Sequence, residues 1–291
     1  MSQYKGDFFL LIAAMIGGLG FVFIKYLLEW HFTPFQIIAG RFLIATSFLY
    51  IIYHKELPKI TMQEWKYGSI LGMFLFLLFV LMTLGLQYTT PSVNAFLTCL
   101  PAVIVPFILW GVFHTMPDVI NFITAAMTMI GVALLSGANG IEGGIGILLS
   151  LSASVAFAFQ MAFMDRFLKK GNALHLALVE HTIVLILSSM LVLGQNADVP
   201  DITFSILKYF LLLGIFCTGT YFVLQSLGQQ YTKPSKAAII LTLESVFACF
   251  ASAALYGERL NIRGYLGCVI IFCALILTEV KPKQKLIENN S

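Results

Sequence analysis

Long apolar runs separated by short polar punctuation fill almost the whole chain. Cut at that punctuation, the sequence yields ten runs, near positions 7–28, 34–53, 66–87, 91–113, 119–136, 145–164, 174–193, 204–227, 234–256 and 262–278. Each is about 17 to 24 residues, enough for a helix rising 1.5 Å per residue to cross roughly 30 Å of hydrocarbon. Strand-like alternation is absent inside them, and a backbone in lipid must satisfy its own hydrogen bonds. The pattern therefore predicts an all-α membrane protein with ten transmembrane helices.

The polar punctuation repeats. Gly85-Leu-Gln-Tyr-Thr-Thr-Pro-Ser-Val-Asn-Ala95 returns as Gly228-Gln-Gln-Tyr-Thr-Lys-Pro-Ser-Lys-Ala-Ala238, a shift of 143 (234 − 91 for the proline). Pro58, Ile60, Thr61, Lys66 and Tyr67 return as Pro200, Ile202, Thr203, Lys208 and Tyr209, a shift of 142 (200 − 58). Most matched residues are polar or turn formers, so shared hydrophobicity cannot produce the match. Two copies follow, residues 1–140 with helices 1–5 and 141–280 with helices 6–10, ahead of a basic tail at 281–291. An odd number of spans per copy makes the second enter the membrane upside down, as two inverted five-helix repeats.

Charge tests that inversion. With the N-terminus inside, twelve Lys and Arg residues fall on the cytoplasmic side, and only Lys25, Lys208, Arg259 and Arg263 fall outside. Basic loops stay cytoplasmic, so a cell-membrane protein with both termini in the cytoplasm is expected. At matched positions Lys55 and Lys59 inside oppose Ala197 and Asp201 outside, and Lys233 and Lys236 inside oppose Thr90 and Val93. The turn with His114 and Asp118 inside and Arg259 and Arg263 outside votes the other way.

Composition removes other classes. With 59% hydrophobic and 11% charged residues, the chain lacks the charged shell of a soluble domain, which is about 25% charged. All five cysteines sit in apolar runs and suggest neither disulfides nor a metal site. No cleavage site follows the first run, so it reads as a retained helix rather than a signal peptide. A net charge of +3 without a basic stripe argues against nucleic acid. No phosphate-binding loop and no cofactor motif is present.

Phe21-Val22 with Lys25, then Pro34, Arg41 and the Gly85-Leu-Gln-Tyr-Thr turn, resemble the first repeat of EamA-type carriers of the drug/metabolite transporter superfamily. In the second half Leu243-Glu244-Ser245-Val246, Gly257-Glu258-Arg259-Leu260 and Gly267 are similar to that family's pattern. The resemblance implies a carrier of small organic solutes. Two departures stand out: Gly17 where a tryptophan is usual, and His114-Thr115 where the second repeat has Gly257-Glu258.

Candidate site residues are the polar and aromatic side chains within the spans. Glu244, ten residues past Pro234 and so about 15 Å deep, is the costliest group to bury, and it is expected to line a central cavity and to contact solute or carry a proton. Its partner position in the first half is Pro101 (244 − 143), with Pro106 beyond, marking a helix break. Gly17 and Gly20 are candidate hinges, though close packing is the plainer role. Asn94, Thr98, Gln160, Tyr221 and Gln225 are expected cavity polar groups, competing with a role as interhelical glue. Phe21, Phe157, Trp110 and Tyr221 are candidates for an aromatic cage. His181 is a candidate proton relay. Arg41 and the nearby matched pair Glu180 and His181 recur at equivalent depth, and Arg41 is expected to snorkel to the headgroups or to pair.

These features predict a secondary transporter working by alternating access, an exporter of amino acids or related metabolites. Uptake of choline-like quaternary amines is the alternative reading, and an intramembrane enzyme a remote one that lacks its motifs. The expected partners are a small-molecule substrate and the lipid bilayer, with the chain a monomer or homodimer and no metal, cofactor or nucleic acid involved.

Overall fold

The computed structural model describes residues 3–114, 116–195, 197–232 and 234–279, without side chains at 3, 113, 135–143, 165, 234–239 and 278–279. The tail at 281–291 and Lys233 lie outside the described residues. The described chain is helical throughout: α1 Gln3–Glu29, α2 Pro34–Ile52, α3 Met62–Tyr88, α4 Pro91–Thr98, α5 Pro101–Phe113, α6 Val119–Leu168, α7 Ala173–Gly194, α8 Phe204–Leu211, α9 Tyr221–Tyr231, α10 Pro234–Ala251 and α11 Ile262–Glu279. π-Helical turns at Leu212–Thr220 and Ser252–Tyr256 continue α8 into α9 and extend α10.

The polar residues that cut the apolar runs also start the helices. Thr33 with Gln36, and Thr61 with Glu64, form capping boxes at the heads of α2 and α3, while Asn172 and Thr203 cap α7 and α8. Among the described residues, seven helices are long and apolar enough to cross a membrane, and Val119–Leu134, Ile240–Tyr256 and Ile262–Leu277 are shorter apolar helices. Their outward faces carry exposed Ile51, Met73, Leu148, Met190 and Phe250, a surface suited to lipid.

Three expectations change. α1 runs unbroken through Gly17 and Gly20, so these glycines are packing contacts and not helix breaks. The fourth run breaks at Cys99 and Leu100, directly before Pro101, whereas Pro106 sits inside α5 without a break. Helical backbone also continues from Val119 to Leu168, through the turn expected near 140. Even so, Phe122 meets Phe107 edge-on at 5.3 Å, and Ala158 and Ala162 pack against Ile108. A straight helix would hold positions 122 and 158 about 54 Å apart, yet both arms of α6 pack against α5, so α6 is not straight.

Contacts in the two halves come in duplicate. A Cβ added at Gly72 would stand 2.7 Å from Ile183 Cβ and 3.1 Å from the Glu180 carbonyl, and one at Gly214, 2.7 Å from Ile44 Cβ and 2.9 Å from the Arg41 carbonyl. Gly85 similarly faces the Gly146 carbonyl at 3.0 Å, and Gly228 the Gly6 carbonyl at 3.1 Å. At the centre, rings Phe42 and Phe79 are 5.0 Å apart and rings His181 and Phe222 5.3 Å apart. The two pairs also meet each other, Phe42 with His181 at 5.4 Å and Phe79 with Phe222 at 6.2 Å. Positions in one half thus meet their register partners' neighbours in the other.

The repeated turns lie at opposite ends of α1. Gly6 abuts Tyr231 and Thr232, while Lys25 Nζ donates to the carbonyls of Leu86 at 2.9 Å and Thr89 at 3.0 Å. Nineteen residues of helix, about 28 Å, separate Gly6 from Lys25, close to a hydrocarbon thickness. If Gly72 and Gly214 are equivalent, Gly72→Ala and Gly214→Ala should lower the thermal midpoint of the purified protein to a similar extent. Each overpacks a glycine-tight crossing, at a cost of about 1–3 kcal/mol. One silent and one severe substitution would contradict the equivalence.

Candidate functional site

A cavity of about 50 Å³, measured as the room open to the centres of water molecules, lies beside the ring quartet. A water needs roughly 10–15 Å³ in that measure, so the space holds on the order of four waters. α1 contributes Gly17, Gly20, Phe21 and Ile24, whose spacing is one helical face. α3 adds Leu78, Phe79 and Met82, the α4–α5 break adds Thr98 and Cys99, α6 adds Phe157, and the α8–α9 segment adds Cys217, Tyr221 and Phe222. Two charges complete the lining, Arg41 from α2 and Glu244 from α10.

Both charges are held in place. Tyr221 Oη donates to Glu244 Oε2 at 2.8 Å, and the other oxygen, Oε1, rests against bare backbone at Gly17, where an added Cβ would come within 2.7 Å. Arg41, 3% exposed, donates from Nε to Thr218 Oγ1 at 2.9 Å and from Nη2 to the Cys217 carbonyl at 3.2 Å. Its guanidinium carbon lies 4.4 Å from the Phe79 ring centre, a cation–π arrangement. The π-helical turn makes this docking: Thr218 Oγ1 donates five residues back to the Leu213 carbonyl, and the widened turn presents Cys217 and Thr218 to the guanidinium. Arg41 Nη1 has no hydrogen-bond partner among the described residues.

The expected site residues divide. Glu244, Thr98, Tyr221, Phe21, Phe157, Gly17 and Gly20 line the cavity. Asn94 does not: its amide donates to the Met82 carbonyl at 3.1 Å and to Ser150 Oγ at 2.8 Å, tying α4 to α3 and α6. Gln160 lies behind the wall and donates to Glu180 Oε1 at 2.8 Å. Gln225 is buried one turn past Tyr221, outside the lining. Trp110 is 42% exposed and meets Phe122 edge-on; nine residues past Pro101, it stands about 13 Å beyond the helix break. His181 is fully buried behind Phe222, with Nδ1 2.7 Å from the Ala177 carbonyl.

Arg41 is the main correction. It does not reach toward headgroups but turns into the protein, because its partners on the π-helical turn lie inward. Phe79 and Phe222 were also missed, although they share the repeat register (222 − 79 = 143), a signal available in the sequence.

Two clusters of bonds, mostly between the halves, lie toward opposite ends of the helices and are the candidate closures of the cavity. At one end Glu258 Oε2 accepts from the Ser92 backbone N–H at 3.1 Å, from Ser92 Oγ at 2.7 Å and from Ser252 Oγ. Tyr256 there donates to Glu29, and Tyr26 to the Leu255 carbonyl. At the other end Glu64 Oε1 accepts from the Asn172 N–H at 2.9 Å, and its Oε2 is 3.0 Å from His175 Nδ1. Thr232 Oγ1 donates to Asp7 on the same side at 3.1 Å.

Comparison with known proteins places this geometry. Residues 4–137 and again 144–280 match the EamA-like transporter family. A protein of Archaeoglobus fulgidus called an uncharacterized transporter is 30% identical over 281 residues, covering 97% of this chain and 88% of its own. A solved crystal structure superposes with a TM-score of 0.61 at 16% identity, over 91% of this chain and 96% of the other, a likeness of fold.

Proposed function

We propose, from the chain's membership of the EamA-like transporter family, that this multi-pass membrane transporter exports small zwitterionic metabolites, amino acids above all, through alternating access of two inverted five-helix repeats. The observation that carries the reading is that one lining holds both Glu244 and Arg41, whose Nη1 has no hydrogen-bond partner among the described residues. A solute carboxylate accepts from Arg41 Nη1, and a solute ammonium donates to Glu244 Oε1. The solute side chain lies among Phe21, Phe79, Phe157 and Phe222. Four waters occupy ~120 Å³ of liquid, so the closed form suits an amino acid with a small side chain.

The duplicated glycine contacts, the double family match and the three shorter apolar helices beside seven long ones support ten spans in two repeats, 1–140 and 141–280. The repeated turns at opposite ends of α1 support the inversion. Alternating access then breaks one closure at a time, the Glu258 end opening outside and the Glu64 end inside. Both termini are assigned to the cytoplasm of a cell-membrane protein by the charge of the loops. Arg41 counts against the quaternary-amine reading, because a fixed cation in so small a space repels another.

Counterflow in proteoliposomes tests this directly. Vesicles loaded with unlabelled alanine or serine should accumulate the labelled amino acid transiently, and vesicles loaded with choline should not accumulate labelled choline. Choline counterflow without amino-acid counterflow would overturn the substrate class.

A further inference from the structure

Glu180 is a second carboxyl group inside the membrane, separate from the cavity. It lies seven residues into α7, and both its residue exposure and that of His181 beside it are 0%. Oε1 accepts from Gln160 Nε2 at 2.8 Å, and Oε2 has no partner among the described residues. Glu244, by contrast, faces open space and holds a tyrosine.

Among the described residues Glu180 has no ion-pair partner, and the charged and titratable groups on the elements around it are placed as follows. Arg41 on α2 faces the cavity and bonds to Thr218 and Cys217, and Tyr50 on α2 meets Thr182 at 2.7 Å. On α3, Glu64 is tied to Asn172 and His175, Tyr67 stacks on Phe167, Lys66 is exposed, and bare Gly72 packs against the backbone carbonyl of Glu180. α6 offers the neutral Gln160, and Tyr221 on α9 is bound to Glu244. On α7 itself, His175 is held by Glu64 and His181 Nδ1 meets the Ala177 carbonyl. An ionised carboxylate sealed without a cation is far costlier than the neutral acid.

Glu180 is linked through Gln160 to the helix that lines the cavity. Gln160 is one helical turn from the cavity-lining Phe157. Toward the other direction along α7, five residues on, stands His175 in the closure at the Glu64 end, about 7.5 Å away. Glu180 therefore sits between the cavity and the interface that must part when that end opens.

We infer that Glu180 is a proton-binding site of the transport cycle: it carries one proton whenever the α3–α6–α7 interface is sealed and releases it to water when the Glu64 end opens. No other bond is made or broken; the proton moves between a carboxylate oxygen and solvent. The deprotonated carboxylate cannot be sealed, so high pH slows passage through the closed form. This goes beyond the substrate reading and does not depend on which solute the cavity takes.

Infrared spectroscopy of the purified protein tests it without transport. The carbonyl stretch of a protonated carboxylic acid should be present at neutral pH, disappear in Glu180→Gln and survive in Glu244→Gln. In Gln160→Leu it should move to higher frequency, because the amide no longer donates to that oxygen. A band unaffected by Glu180→Gln overturns the assignment. In proteoliposomes the exchange rate of the parent and of Glu180→Asp should fall at least about tenfold over the alkaline range, one decade for each pH unit past the titration. Exchange by Glu180→Gln, an amide that seals neutral at any pH, should stay level. An unchanged alkaline fall in Glu180→Gln contradicts the proposal even where the variant is slow.

Discussion

Arg41→Leu should lose solute binding by roughly 10- to 150-fold. This guanidinium is part of the cavity lining and its Nη1 has no hydrogen-bond partner among the described residues, and a hydrogen bond to a charged partner contributes about 1.5–3 kcal/mol. Leucine also abandons the bonds to Thr218 and the Cys217 carbonyl and the stack on Phe79, so the thermal midpoint should fall as well. Arg41→Lys keeps the charge but not the planar fork that reaches both partners at once, and should fall between parent and leucine. Binding is read by titration calorimetry in detergent on folded fractions. Equal affinity in the parent and Arg41→Leu would remove the arginine from recognition.

Gly17→Ala and Gly20→Ala, three residues apart on one face of α1, should behave oppositely. A methyl group at Gly17 would press on the Glu244 carboxylate and on Tyr221, each at 2.7 Å, whereas at Gly20 its nearest neighbour is Cys217 Cβ at 3.3 Å. The first forces the carboxylate off its tyrosine or α1 away from α10, and overpacking costs about 1–3 kcal/mol. Transport by Gly17→Ala should therefore fall by roughly tenfold or more. Gly20→Ala asks Cys217 to yield a few tenths of an ångström and should transport within about threefold of the parent. Initial rates at matched protein levels check both, and full activity in Gly17→Ala would show that Glu244 need not keep its position.

How much of this was legible depends on what kind of residue carried the signal. The helices and the family were readable, and Glu244 stood out as a candidate, because polar residues in an apolar chain are few and each has a restricted role. Depth could be counted along the chain, but the direction a side chain faces could not. For Arg41 the sequence left snorkelling and pairing both open, and only the structure shows its guanidinium on Thr218 and the Cys217 carbonyl, while Asn94, Gln160 and Gln225, equally polar, bond between helices or lie behind the wall. Phe79 and Phe222 were hidden by abundance, since among 26 phenylalanines only the repeat register distinguishes the pair that meets. The π-helical turn at Leu212–Thr220 has no pattern of its own beyond Gly214, Thr218 and Gly219, yet it positions the groups that receive Arg41. Continuous helical backbone across 119–168 likewise leaves the expected boundary near 140 unmarked by a helix limit, and side-chain contacts with α5 show that α6 is not straight.

The proposed mutual inversion of the halves is the claim on which the transport reading rests, and sidedness measures it directly. Tyr88 and Tyr231 occupy matched positions (231 − 88 = 143) and are both exposed, 50% and 38%. With Cys249 and Cys273 replaced by alanine, Tyr88→Cys and Tyr231→Cys can be labelled singly in intact cells with a membrane-impermeant maleimide. Labelling of Tyr88→Cys from outside, and of Tyr231→Cys only after permeabilisation, is the expected result. Labelling of both from the same side would contradict it.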